Sequence, residues 1–275
     1  MKITTNFTER RNLPVIVELK NICQSYDGGK TFAVKDFNFL IEDKPNQGQF
    51  IVIVGASGCG KSTILRYVSG LQKPTSGEIL LNNKYRIDAD RIGMVFQKYS
   101  CLPWLTALEN VALGLKFKGM SKKERTEKAL QMIETVGLKG HEWKYAKYPT
   151  MSGGQLQRVA IAQALLNNSK IMLCDEPFAP LDVANRLKAQ DLILKIWQDL
   201  SKKDEEATVI FVTHDIPEAV YLGDEIYIMG IDNGVGHFIE KIEPELPKDR
   251  NKLLKRDKNF LDCVAYIEDK VIKGS

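Results

Sequence analysis

The amino-acid sequence predicts an α/β fold with a helical insertion, and three features of the chain support that prediction. Short apolar runs typical of buried strands occur near residues 50, 171 and 209. Segments with helical periodicity lie between such runs, which is the alternation expected of an α/β core. The stretch 98–165 has mostly helical character and predicts a helical subdomain. With 275 residues, of which 44% are hydrophobic, the chain is long enough to bury a large core.

The first half of the chain contains most of the predicted strands. Residues 15–19 and 37–41 are apolar or alternating segments bounded by polar residues. Residues 50–54 are apolar on both faces, which is typical of a parallel strand that is covered on both sides. Further strands are predicted over 77–81 and 92–96.

Helices are predicted where capping residues flank a periodic segment. Ser121 and Glu124 have the spacing of a capping box, at the start of a helix that Gly137 can end. A second helix is predicted over 183–200, between the strands expected at the two later apolar runs.

Composition and charge exclude several classes of protein. The 39 basic and 35 acidic residues give a net charge of +4, too small to predict a nucleic-acid partner. No apolar run approaches the roughly 18 residues of a membrane-spanning helix, and charged residues at 9–11 argue against a secretory signal. The five scattered cysteines are expected to be reduced thiols of a cytosolic protein.

The segment from residue 244 onward is charged and has no strong period. It is too short to form an independent domain.

A glycine-rich segment after the run at 50–54 has the spacing of a phosphate-binding loop. It consists of Gly55, Ala56, Ser57, Gly58, Cys59, Gly60, Lys61 and Ser62, and a helix is predicted to follow it. Glycines allow backbone N–H groups to surround phosphate oxygens, and the helix N-terminus adds the positive end of its dipole. Lys61 is expected to reach the β- and γ-phosphates, the Ser62 hydroxyl to bind Mg²⁺, and Thr63 to contact phosphate.

Two carboxylates stand at the end of the apolar run 171–174. Asp175 is placed to hold Mg²⁺, directly or through water, and Glu176 to face an attacking water. A strand that ends in Asp-Glu is common, and alone it would indicate a solvated strand end. Beside a phosphate-binding loop, it predicts the metal-binding strand of a nucleotide hydrolase.

A short motif before an apolar helix connects the chain with a family. The motif is Ser152, Gly153, Gly154 and Gln155, and taken alone it would be a helix start with Ser152 as N-cap. Beside the phosphate-binding loop, it resembles the signature of the ATP-binding cassette ATPases. The resemblance covers residues 15–240. It implies a P-loop core with a mixed and parallel sheet, an N-terminal antiparallel β subdomain and a helical signature subdomain inserted at about 98–165. Residues 241–275 would be a short C-terminal extension.

Further landmarks of that family occur in the expected order. Tyr26 resembles the aromatic residue that stacks on adenine, and Gln97 resembles the glutamine that touches Mg²⁺ and water. Asp182 matches the aspartate that crosses the dimer interface. His214 resembles the switch histidine that contacts the γ-phosphate, and Glu176 would be the catalytic base.

The resemblance also implies cofactors and partners. ATP and Mg²⁺ are expected, with each ATP between the phosphate-binding loop of one cassette and the signature of another. A chain with both halves is therefore expected to form a homodimer or to pair with a second ATP-binding subunit. His141 and His237 match no landmark of the family and are predicted to be surface residues.

The sequence around residue 104 indicates which branch of the family the chain resembles. Trp104 and Phe178 occur where the nitrate, sulfonate and taurine importers have these residues. This implies the ATPase subunit of an importer of a small anion, held at the cytoplasmic face of the membrane by transmembrane permease subunits and served indirectly by a substrate-binding protein. Segment 102–110 is shared with exporters and lipoprotein-release systems, which are the main alternative. A soluble ATPase acting on nucleic acid is a third hypothesis.

Overall fold

The structure is a computed structural model that describes residues 1–5, 13–45, 47–81, 92–167, 170–201, 207–247 and 250–274. The chain divides into two compact units. Unit 1 comprises Met1–Ala89 and Thr208–Ser275, and unit 2 comprises Asp90–Ala207. The two segments of unit 1 are therefore separated in sequence by the whole of unit 2.

The described residues form ten strands and eight α-helices. The strands are β1 (Lys2–Thr4), β2 (Val15–Gln24), β3 (Val34–Glu42), β4 (Gln49–Gly55), β5 (Ser76–Leu81), β6 (Ile92–Val95), β7 (Ile171–Asp175), β8 (Thr208–Thr213), β9 (Glu225–Asp232) and β10 (Val235–Glu243). The helices are α1 (Lys61–Val68), α2 (Ala107–Val111), α3 (Leu113–Phe117), α4 (Lys122–Thr135), α5 (Gly153–Leu166), α6 (Val183–Ser201), α7 (Ile216–Leu222) and α8 (Lys258–Lys273), with a 3-10 helix at Lys252–Arg256. Every strand predicted from the sequence is present, although β6 ends one residue earlier than predicted.

Unit 1 is built on a mixed sheet with the strand order β5-β2-β3-β10-β9-β4-β8, and β1 pairs with β10. β4 is parallel to both β8 and β9, whereas β2 is antiparallel to both β3 and β5. All seven residues of β4 are buried, as predicted for a strand that is covered on both faces. The predicted α/β fold, with a mixed sheet and an antiparallel N-terminal portion, is confirmed.

The C-terminal segment contains a helix that packs on unit 1, where the sequence pattern predicts a chain without a strong period. α8 buries Phe260, Cys263 and Ile267, whose spacing of three and four residues forms an apolar stripe. The helix contacts α7 and β9. The Tyr266 hydroxyl donates to Glu240 Oε2 of β10 at 2.8 Å. The stripe is short and lies among charged residues, which conceals it in the composition.

Arg250 attaches the segment between β10 and α8 to the end of α7. Its side chain is 3% exposed. The guanidinium donates to the carbonyl oxygens of residues 221–223 and, at 2.7 Å, to Asp224 Oδ1. Asp224 Oδ2 in turn accepts from Phe50 N at 3.1 Å. Because carbonyl groups at a helix C-terminus have no partner within the helix, this guanidinium caps α7.

Unit 2 pairs β6 with β7 in parallel and is otherwise helical in the part that the structure describes. Its core includes Leu108, Ile133 and Val159. Ser121 caps α4 as predicted, because its Oγ accepts from Glu124 N at 3.3 Å. Among the described residues, no helix combines the length and the apolar character needed to cross a bilayer.

Candidate functional site

The predicted phosphate-binding loop connects β4 to α1. Gly58 and Gly60 have φ values of +87° and +99°, in the left-handed region that favours glycine. Gly60 is the residue from which α1 begins. The loop therefore turns directly onto a helix N-terminus, an arrangement that binds anions through backbone N–H groups.

Lys61 lies inside this loop. The residue is 4% exposed, and its Nζ donates to the carbonyl oxygens of Gly55 at 2.9 Å and Ala56 at 2.7 Å. Nζ also lies 3.8 Å from Cys59 Sγ. Burial raises the pKa of the Cys59 thiol. The ammonium group is thus held among the backbone groups that would surround a bound phosphate.

The loop is supported from β9 and β10. A Cβ atom at Gly55 would lie 2.3 Å from the Met229 carbonyl oxygen, and one at Gly236 would lie 2.0 Å from the Cys59 carbonyl oxygen. Both distances are far shorter than van der Waals contact, so the backbones touch only because these residues are glycine. The role of Gly236 could not be found from the sequence, because it belongs to the other segment of unit 1 and to no motif.

Tyr26, the predicted adenine-stacking residue, lies on the loop between β2 and β3. It is 69% exposed, and its hydroxyl accepts from Gln72 Nε2 at 3.1 Å. The loop is ordered by Asp27, whose carboxylate accepts from the Thr31 hydroxyl at 2.7 Å and from Lys30 N at 3.0 Å. The hydrogen bond from the Thr31 hydroxyl, reinforced by backbone N–H groups, lowers the pKa of Asp27 to about 2. An ordered turn therefore presents the exposed aromatic ring.

His214 is exposed directly after β8. Its neighbours are fixed to the first turn of α7: Thr213 Oγ1 donates to Glu218 Oε2 at 2.6 Å, and Asp215 Oδ1 accepts from Glu218 N at 2.9 Å. Thr213 also pairs with Val54 of β4 in parallel register. His214 therefore leaves the sheet of unit 1 at the same edge as the phosphate-binding loop.

The signature motif forms the N-terminus of α5. Ser152 is the N-cap, and its Oγ accepts from Gln155 N at 3.3 Å. Ser152 N donates to Gln155 Oε1 at 2.9 Å, which completes a reciprocal capping box. The N-cap role predicted from the sequence is present, and the motif has one defined conformation.

The two glycines of the motif lie against neighbouring side chains of unit 2. A Cβ atom at Gly153 would lie 2.5 Å from the Tyr99 hydroxyl oxygen, and one at Gly154 would lie 3.4 Å from Asn185 Cγ. Asp182 Oδ1 accepts from Asn185 N at 2.9 Å, and Asp182 Oδ2 accepts from Asn185 Nδ2 at 2.6 Å. The bond from Asn185 N, with that from its side chain, lowers the pKa of Asp182. Asn185, which no sequence pattern marks, thus lies between Asp182 and the signature motif.

His141 contacts the signature motif, although the sequence predicts an unremarkable surface residue. It is half-buried, and its Nε2 lies 3.3 Å from Gln155 Nε2. The contact is made by the turn after α4. Since the two residues share no motif, their spacing in sequence does not reveal the contact between them.

The two predicted carboxylates lie at the end of β7. Asp175 is the last residue of the strand, and Glu176 follows with a φ of +43°. A left-handed conformation is uncommon for a residue with a Cβ, and such strain persists only where the surroundings fix the backbone. Ala179 N donates to the Glu176 carbonyl oxygen at 3.2 Å, and the Phe178 side chain is buried. The residue predicted to be the catalytic base therefore occupies a fixed turn.

Gln97 leaves the neighbouring strand at the same edge. β6 and β7 are parallel, and Val95 is opposite Cys174. Gln97, two residues after Val95, is exposed, and Asp175 directly follows Cys174. Unit 2 therefore places Gln97 and the two carboxylates at one end of its strand pair.

Comparison with known proteins connects this geometry with one family. A family model described as ABC transporter matches residues 40–179. The chain is 39% identical over 239 residues to the nitrate import ATP-binding protein of Synechocystis sp., covering 84% of this chain and 85% of that protein. It is 36% identical over 266 residues to the taurine import ATP-binding protein of Escherichia coli, covering 94% of this chain and 98% of that protein.

A solved structure with a similar fold is a dimeric ATP-binding cassette in a post-hydrolysis state, bound to ADP and Pi. It is 37% identical to this chain, with a TM-score of 0.68. The similarity covers 83% of this chain and 98% of that one.

Proposed function

The chain belongs to the ABC transporter family, and from that premise we propose that it is the ATP-hydrolysing subunit of a membrane importer of a small anion. Its ATPase activity follows from the family. One observation supports an ATP site that two subunits share. A single chain holds both halves of such a site: a phosphate-binding loop enclosing Lys61, and a signature motif at a helix N-terminus. Relatives named as nitrate and taurine import proteins favour import over export or lipoprotein release.

In this proposal residues 55–63 hold the triphosphate of ATP, and Lys61 neutralises the β- and γ-phosphates. We assign Ser62, Gln97 and Asp175 as ligands of Mg²⁺, because their hydroxyl, amide and carboxylate oxygens are the hard donors that this ion prefers. Mg²⁺ held by these residues would supply positive charge against the charge that develops on the phosphates. The ATPase domain is assigned to residues 15–240, with the helical signature subdomain at about 98–165.

Glu176 is the proposed general base. It accepts a proton from the water whose oxygen attacks the γ-phosphorus, while the bond to the β–γ bridging oxygen breaks. His214 contacts the γ-phosphate from the fixed turn after β8. Tyr26 stacks its exposed ring on the adenine base.

Dimerisation completes the site. Each signature motif of Ser152, Gly153, Gly154 and Gln155 would bind the ATP held by the other subunit, because N–H groups at the start of a helix favour an anion. Asp182, which is linked to the motif through Asn185, would lie at the same interface. The dimeric state of the structural neighbour supports this assignment.

The surface around Trp104 is the proposed contact with the permease subunits at the cytoplasmic face of the membrane. Trp104 is 67% exposed and Tyr145 is 52% exposed. Thr106 forms a bridge with Tyr145, and Ala146 N donates to the Leu105 carbonyl oxygen at 3.0 Å. Two aromatic side chains are thus presented by paired backbone segments. A substrate-binding protein would act indirectly, through the permease.

Replacing the proposed base tests the composite site. Glu176→Gln keeps the shape of the side chain but cannot accept a proton, so hydrolysis should fall by about 10²- to 10⁴-fold. Removal of a negative charge near the γ-phosphate should strengthen dimerisation with ATP and Mg²⁺. Turnover and size-exclusion chromatography with and without ATP measure the two effects.

The control for this experiment is the double variant Glu176→Gln with Ser152→Arg. A bulky side chain at the N-cap of α5 would block the surface that faces the other subunit's ATP, so the ATP-dependent dimer should disappear. A monomer of Glu176→Gln under all conditions would contradict the composite site. Near-normal turnover would exclude Glu176 as the base.

A further inference from the structure

We propose that His141 is a positioning residue for the signature glutamine, acting through a ring nitrogen that accepts a hydrogen bond from Gln155. His141 Nε2 lies 3.3 Å from Gln155 Nε2. The inference rests on the proposed function, because it matters only if the signature motif binds the ATP of another subunit.

The capping box determines which group donates in this contact. Ser152 N donates to Gln155 Oε1 at 2.9 Å, so the oxygen of the Gln155 amide faces the backbone of the N-cap. The amide nitrogen, which can only donate, therefore faces His141. His141 Nε2 must accept, which places the ring proton on Nδ1.

The other side of the ring argues against a purely structural role. His141 Nδ1 is buried and has no hydrogen-bond partner among the described residues. A buried donor without a partner lowers the stability of the fold, and an apolar ring of similar size would avoid this penalty. The histidine is therefore better explained by what Nε2 does for Gln155 than by packing.

The consequence for the proposed site is local order. Gln155 lies in the first turn of α5, and its side chain fixes the Ser152 N–H group through the capping box. A second contact at His141 holds the amide from its other end. Without that contact, Gln155 can rotate away, and the N-terminus of α5 is less well arranged for the partner's nucleotide.

The test compares His141→Gln and His141→Phe in the Glu176→Gln background, with His237→Gln as a matched control. His237 is a half-buried histidine on β10, one residue after Gly236, and it belongs to unit 1, whereas the signature motif belongs to unit 2. His141→Phe removes the acceptor, and since the contact occurs twice in a homodimer, ATP-dependent dimerisation should weaken by about 5-fold or more. His141→Gln keeps an acceptor oxygen and should restore dimerisation to within about 2-fold of the parent.

Thermal unfolding separates positioning from packing. His141→Phe should melt at about the same temperature as the parent, because the lost hydrogen bond from Gln155 is offset by removal of the unpaired Nδ1. Nitrogen NMR of labelled histidine should show the His141 proton on Nδ1, with the signal identified by its loss in His141→Gln. Unchanged dimerisation of His141→Phe, equal weakening of both variants with lower melting temperatures, or a proton on Nε2 would overturn the inference.

Failure of the proposed function gives a different pattern. Gln155→Ala should weaken the dimer at least as much as His141→Phe. If the parent does not dimerise, or if Gln155→Ala does not weaken the dimer, the proposed composite site is wrong. The proposed role of His141 is then wrong as well. If Gln155→Ala weakens the dimer and His141→Phe does not, only the role of His141 is wrong.

Discussion

The ammonium group of Lys61 donates to two carbonyl oxygens of its own loop, so its removal affects both the ligand and the protein. The motif alone suggests a loop charge whose loss leaves the fold intact. In the structure the residue is buried, and its ammonium group donates to the carbonyl oxygens of Gly55 and Ala56. The loop and its lysine therefore stabilise each other before any phosphate arrives.

Lys61→Ala should lose most ATP affinity and also lower the free energy of unfolding by roughly 1–3 kcal/mol, because one buried and one half-buried carbonyl oxygen lose this donor. Calorimetry with ATP and thermal unfolding without nucleotide measure the two effects. Lys73→Ala is the control, since Lys73 is an exposed lysine after α1. Tight ATP binding by Lys61→Ala would contradict the site assignment.

Residues within a motif could be predicted from the sequence, whereas residues that support a motif from elsewhere could not. The glycine-rich loop and the signature motif have fixed local spacings that follow from backbone chemistry. Gly236, Asn185 and His141 contact those motifs only through tertiary packing. Their residue types are common, and no short-range pattern distinguishes them from ordinary surface or strand residues.

At the scale of elements, the buried Arg250 side chain makes the C-terminal segment part of unit 1. Arg250→Ala should lower the free energy of unfolding by roughly 3 kcal/mol, because it leaves the carbonyl oxygens at the end of α7 and the Asp224 carboxylate without this donor. Chemical denaturation measures the change. The exposed Arg256 is the matched control, and Arg256→Ala should change stability by less than about 0.5 kcal/mol. Equal stability of the two variants would show that Arg250 does not cap α7.

Strands were easier to predict than the last helix for a physical reason. β4 is apolar along its whole length because both its faces are covered, and this gives a strong signal. α8 buries only one narrow stripe, so most of its residues are charged or polar. α8 is stabilised by packing against α7 and β9. The sequence of α8 alone does not show that these elements cover its apolar stripe.

At the scale of the whole molecule, the exposed surface around Trp104 predicts a separation between ATPase activity and transport. Trp104→Ala should weaken assembly with the permease by about 30-fold or more, as expected of a buried aromatic anchor in an interface. The ATPase activity of the isolated subunit should change little. The loss of assembly is measured as transport by the reconstituted complex. The unchanged activity is measured in ATPase assays of the free subunit.

The matched control for Trp104 is Phe117, which is 80% exposed at the end of α3. Phe117→Ala should leave transport near the parent level. If Trp104→Ala reduced transport and isolated ATPase activity equally, with a lower melting temperature, Trp104 would be a packing residue of unit 2.

The close approach of Gly236 to the Cys59 carbonyl oxygen has a genetic meaning. Every missense change in a glycine codon adds a Cβ atom, and at Gly236 that atom would lie 2.0 Å from the backbone of the phosphate-binding loop. Even the smallest substitution, alanine, places a Cβ atom against the Cys59 carbonyl oxygen. No replacement of Gly236 is therefore conservative. Selection that maintains the phosphate-binding loop therefore also acts on the Gly236 codon, which lies far from the loop codons in the gene. Among natural variants, Gly236 should tolerate change as poorly as the glycines of the loop itself.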